Sequence, residues 1–85
     1  MHDQENCNHD VAWVVRTQAY AKWGASLARD EIIRTPGPNS DACLARQYES
    51  LQIERALAHW VRLGAIRANA DGTFTWIGAA ATRNS

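Results

Sequence analysis

The chain has 85 residues, nine basic and nine acidic side chains, and 46% apolar residues. That length holds one small domain and excludes a multidomain enzyme, because chains divide into several cores only at roughly two to three times this size. Fifteen of the apolar residues are alanine, so a thin core must be built around Trp13, Trp23, Trp60 and Trp76. So marginal a domain is expected to lean on a second copy or a partner.

The zero net charge removes the strongest compositional sign of a nucleic-acid binder, yet the balance is regional. Asp3, Glu5 and Asp10 fall in the first ten residues, and from Val11 onward nine cations face six anions. Eight of those cations are arginine, the residue suited to bidentate contact with phosphate or carboxylate. The longest apolar run, Val11 to Val15, is too short to span a bilayer, and the N-terminus lacks the basic-then-apolar order of a signal peptide. A cytoplasmic protein without membrane attachment is expected. Two cysteines, Cys7 and Cys43, do not make a disulfide scaffold and read as reduced thiols.

Residues 1–9 carry no large apolar side chain after Met1 and read as a disordered tail, with the domain over 10–78 and a frayed tail over 79–85. Asn8 or Asp10 caps a helix predicted from Val11 to Arg34, where Thr35-Pro36-Gly37-Pro38 stops it. Trp13, Tyr20, Trp23 and Leu27 share one side of that helix, Val14, Ala21, Ala25, Ala28 and Ile32 the adjoining one. Between Asp41 and Leu63 there is no Gly or Pro, but the apolar phase shifts: Leu44, Tyr48 and Leu51 share one side, and Ile53, Ala56, Leu57, Trp60 and Leu63 another. The shift favours two helices, 41–49 and 51–63, over one long helix, with Ser50 as the second N-cap and Gly64 as its left-handed stop. The alternation of Ile66, Ala68, Phe74 and Trp76 around Asp71-Gly72 predicts a hairpin over 66–77. A three-residue loop, Ala70-Asp71-Gly72, sets Ile66 opposite Trp76 and Ala68 opposite Phe74, whereas a two-residue loop scatters the apolar groups.

The segments LARQY, IERALAHWVRLGAI and IRANADGTFTWI, in that order after a long helix, resemble a winged helix-turn-helix domain over about residues 11–77. The turn Tyr48-Glu49-Ser50-Leu51 is about two residues shorter than the family's usual segment. The resemblance implies a small α+β fold, three helices followed by a β-hairpin wing, in a transcription regulator that binds double-stranded DNA. The helix at 51–63 would enter the major groove and the hairpin would touch the adjacent backbone. Gln52, Arg55 and His59 would then reach base edges, Arg46, Arg62 and Arg67 would contact phosphates, and Gln47 completes the set. A plainer reading treats these side chains as a solvated surface, with Arg62 complementing the helix dipole and Arg67 guarding an edge strand. The pieces YAKWG and PNSDACLARQYESLQIERAL are also similar to phage late antiterminators of the Q type. That likeness implies action at a promoter or on RNA polymerase, with Trp23, Arg46 and Arg55 facing a protein rather than DNA.

Other chemistry finds little support. His2, Cys7 and His9, even with Asp3, Asp10 or Cys43 added, lack the paired spacing of a zinc site, so no metal is expected. The five glycines stand singly and make no phosphate-cradling loop, and no nucleophile has a positioned base, so neither a cofactor nor an enzyme is expected. Four tryptophans carry the alternative: Trp13, Tyr20 and Trp23 as a docking or dimerisation face, with no direct DNA contact.

Overall fold

The computed structural model describes residues 4–24 and 26–78. They form an α+β fold of four helices and one three-stranded antiparallel sheet, in the order α1 (Gln4–Ala21), β1 (Leu27–Ala28), α2 (Arg29–Ile33), α3 (Leu44–Gln47), α4 (Ser50–Leu63), β2 (Ile66–Ala68) and β3 (Thr73–Trp76). The strand order is β1-β3-β2. No helix among the described residues is long and apolar enough to cross a membrane.

The first helix differs from expectation at both ends. Residues 4–9, expected within a disordered tail, form the first turns of α1, and Cys7 is fully buried. Small and polar composition concealed this, because only Cys7 of residues 4–9 is fully buried, in step with Val11, Val14 and Val15 at i, i+4, i+7 and i+8. The far end breaks at Ala21, not Arg34. Trp23 and Gly24 both take left-handed backbone, φ 59° and 78°, and the Gly24 N–H closes on the Ala19 carbonyl at 2.7 Å. The chain then enters β1, a strand absent from the sequence reading, which pairs Leu27 with Phe74 and Ala28 with Thr73. A carboxylate oxygen of Glu31 accepts the Ala28 N–H at 3.1 Å and opens α2. The tails at 1–3 and 79–85, the second expected to fray, lie outside the described residues.

Two separate helices occupy 44–63, but the first is shorter than the expected 41–49: it spans Leu44–Gln47, with Cys43 and Tyr48 extended on either side. Gly64 ends α4 at φ 84°. The N-cap is Glu49, one residue ahead of the expected Ser50, with the Glu49 N–H donating to Gln52 Oε1 at 3.1 Å. The hairpin has the three-residue loop, with Gly72 at φ 86° and pairs Ile66↔Trp76 and Ala68↔Phe74. Its loop is tied by Asp71 Oδ1, which accepts the Thr73 N–H and hydroxyl and whose pKa these bonds lower.

Packing centres on α1 against α4. Cys7, Val11, Val14 and Val15 meet Ile53, Ala56 and Leu57, with Leu27, Ile32, Leu44, Tyr48 and Ile66 closing the cluster. Trp60 leans on this core and donates its indole N–H to the Asn8 carbonyl at 2.8 Å, while Gln4 Nε2 reaches the Gln52 carbonyl at 2.9 Å. One charged group is buried among them: Asp10 Oδ2 accepts the Tyr48 hydroxyl at 2.6 Å, and Oδ1 lies 3.2 Å from His9 Nδ1. Removing that hydroxyl leaves a buried carboxylate oxygen short of its donor, so Tyr48→Phe is expected to cost about 2 kcal/mol in denaturant unfolding.

Burial, then the negative charge of Asp10, pushes the Cys7 thiol up to about 11. A folded thiol that keeps its proton above the unfolded value contributes stability that is whole below pH 9.0 and declines as pH rises toward 11. At about pH 8 iodoacetamide is expected to modify Cys43 in the folded protein and both thiols only in denaturant. Modification of both without denaturant would overturn the burial of Cys7.

Candidate nucleic-acid interface

Because α4 turns Ile53, Ala56, Leu57 and Trp60 toward α1, the opposite side must carry Leu51, Arg55, Ala58 and Arg62, at i, i+4, i+7 and i+11. All four are exposed. Two residues depart from the expected inward stripes: Leu51, grouped with Leu44 and Tyr48, is 57% exposed because the turn at Tyr48–Glu49 re-phases the helix, and Leu63, grouped with Ile53 and Trp60, is 52% exposed at the last position of α4. Fourteen residues make α4 about 21 Å long.

The charge around this face is arranged by a residue the sequence reading left out of the site. Arg29, at the start of α2, places Nε 2.6 Å from Glu54 Oε2 and donates from Nη2 to Ser50 Oγ at 2.9 Å. It therefore braces the first turns of α4 and neutralises the carboxylate on the flank of the outward face. A separation of 25 positions between Arg29 and Glu54 left no local signal for the pair. Lys22 is held by Glu31 at 2.7 Å, and these bonds hold the Glu31 carboxyl below its ordinary range. The remaining described cations, Arg16, Arg34, Arg46, Arg55, Arg62 and Arg67, form no ion pair with a described residue.

The expected contact residues divide accordingly. Arg55 and Arg62 stand together on the outward face of α4, and Arg67 is exposed on β2, opposite Thr75 in the next strand. His59 is half-buried on the flank, its ring edge-on to Trp60 with centroids 4.8 Å apart. The two amides are occupied locally: Gln52 caps α4, and Gln47 Nε2 donates to the Ala42 carbonyl at 2.7 Å. Arg46 lies elsewhere, at a cleft of about 450 Å³ lined with Asn6, Asp10, Asn39, Ser40, Gln47 and Tyr48 and by no residue of α4.

The aromatic trio also separates. Trp13 is half-buried against the core, near Trp76, whereas Tyr20 and Trp23 project at the end of α1, 72% and 96% exposed. No group of three or more metal-type ligands comes together among the described residues; His2 lies outside them. The chain matches no protein-family model, no curated protein and no solved structure in the comparisons made.

Trp23 holds left-handed backbone, and its side chain is almost wholly exposed. Trp23→Gly is therefore expected to leave the melting temperature unchanged or raise it, since a side chain in this conformation costs on the order of 1 kcal/mol. Gly24→Ala, in open space but at φ 78°, is expected to lose about that amount from backbone strain alone. Equal losses in both variants would show that the Trp23 side chain supports the fold.

Proposed function

We propose that the chain is a small winged helix-turn-helix DNA-binding protein of the transcription-regulator class, with α4 in the major groove and the hairpin over 66–77 against the backbone. The observation that carries this reading is the outward face of α4, where Arg55 and Arg62 stand about 10 Å apart along the axis with no carboxylate of a described residue holding them. The helix order, the two-residue turn between α3 and α4 and the hairpin that follows Gly64 are compatible with the resemblance seen in the sequence. A major groove about 12 Å wide accepts a helix of this kind. Arg62 and Arg67 supply phosphate contacts and Arg55 reaches a base edge, whereas Arg46 stays at its separate cleft. Work as a homodimer or alongside RNA polymerase fits the small core.

A second reading rests on a different observation, the nearly complete exposure of Trp23 beside Tyr20. On that reading the end of α1 is a protein-docking face, on RNA polymerase or another protein, and α4 is only a scaffold. Salt separates the two. Binding to a mixed duplex pool, followed by fluorescence anisotropy, is expected to weaken with salt at a log–log slope of roughly −2 to −3 for the cations Arg55, Arg62 and Arg67. Arg62→Ala is expected to reduce that slope by about 1, and Arg55→Ala to weaken binding about tenfold or more with no change in melting temperature. Failure to bind DNA at low salt would transfer the assignment to the docking face.

A further inference from the structure

We propose that the first two turns of α4 read a thymine through its 5-methyl group and a guanine within about two base pairs of it. This rests on the DNA-binding reading above and narrows it to a class of base sequence.

The argument is one of elimination along the helix. Beyond Ser50, which Arg29 holds, six side chains of the first three turns lie on or beside the outward face with polar or apolar groups able to meet a base edge: Leu51, Gln52, Glu54, Arg55, Ala58 and His59. Gln52, the residue type that reads adenine with both amide atoms, has its oxygen turned back to the Glu49 N–H. Glu54, which would accept from cytosine, is held by Arg29 at 2.6 Å. His59 is half-buried and edge-on to Trp60. What remains at the centre is Leu51, Arg55 and the methyl group of Ala58.

A guanidinium fits the paired acceptors of guanine, and an apolar side chain at groove depth has one apolar partner among the bases, the thymine methyl. A lone exposed leucine is ordinary on a protein surface. Here it stands one helical turn from Arg55, in line with Ala58 and Arg62. Four residues of helix rise about 6 Å, close to two base-pair steps, which sets the spacing of the two bases. The bracing of Ser50 and Glu54 by Arg29 fixes the angle at which both side chains project.

The test uses the full chain and the tightest duplex recovered from a randomised library. Each thymine of that duplex is replaced in turn by deoxyuridine, which lacks only the methyl group, and each guanine by 7-deazaguanine, which lacks the N7 acceptor. One uridine substitution is expected to weaken binding about three- to fivefold, the value of one methyl group withdrawn from water. A deazaguanine within two base pairs is expected to weaken it by about tenfold. Leu51→Ala is expected to lose the sensitivity to uridine and keep that to deazaguanine; Arg55→Ala is expected to do the opposite. Both residues are exposed, so the melting temperature serves as the control for folding. Salt-dependent binding that is indifferent to every uridine, or a Leu51→Ala variant that remains as sensitive as the parent, would overturn this inference and leave the DNA-binding reading standing. Absence of DNA binding by the parent chain would overturn both.

Discussion

The packing of α1 on α4 is the constraint from which the rest of the molecule follows. Cys7, Val11, Val14 and Val15 fix which side of α4 is inward, and a helix that buries Ile53, Ala56 and Leu57 there has no freedom left over what it shows outward. The seam is pinned at its edges by hydrogen bonds that cross it, from Gln4 to the Gln52 carbonyl and from Trp60 to the Asn8 carbonyl. Rotation of α4 by one residue would break both and drive Arg55 or Glu54 toward the core. An ordinary helix surface is thereby turned into one of defined orientation, which recognition of any surface requires.

Around that seam, polar groups are used to hold elements in place. Asp10 and Tyr48 join α1 to the turn before α4 through a buried bond, where a carboxylate without its donor would be costly. Arg29 joins α2 to α4 from the solvent side. On the outer face of the sheet Ser26, Thr73 and Thr75 are gathered by Asn69, whose Nδ2 lies 2.8 Å from Thr75 Oγ1 and 3.0 Å from Thr73 Oγ1. A core of few large side chains is thus supplemented by hydrogen bonds between segments far apart in sequence.

What could be read in advance was local. The phase shift between Leu44 and Ile53 placed the break before α4, Gly64 placed its end, and the alternation through Trp76 selected the hairpin loop. Each of those signals acts over a few residues. The misplaced features depend on distant partners: residues 4–9 are helical because Cys7 and Gln4 find α4, and β1 exists because Phe74 and Thr73 offer it an edge. Nothing near Lys22-Trp23-Gly24 outweighed the apolar period that ran on to Ile32, although Gly24 and the Glu31 carboxylate three residues after Ala28 were signals of a stop and a restart. The same distance effect hid Arg29 from the site, and the commitments of Gln47 and Gln52 could not be told from free amides.

The strand order carries a consequence for how the chain reaches this state. Among the described strands the first pairs only with the last, so the sheet cannot close until Trp76 has been made, and α1 finds its main partner only once α4 is complete. During synthesis the first half of the chain therefore waits with its apolar stripe uncovered, and long-range pairing of this kind slows folding relative to a bundle of the same size. A cut anywhere in the hairpin would unseat β1 at the other end of the sequence, so the shortest piece that folds is close to the whole described chain.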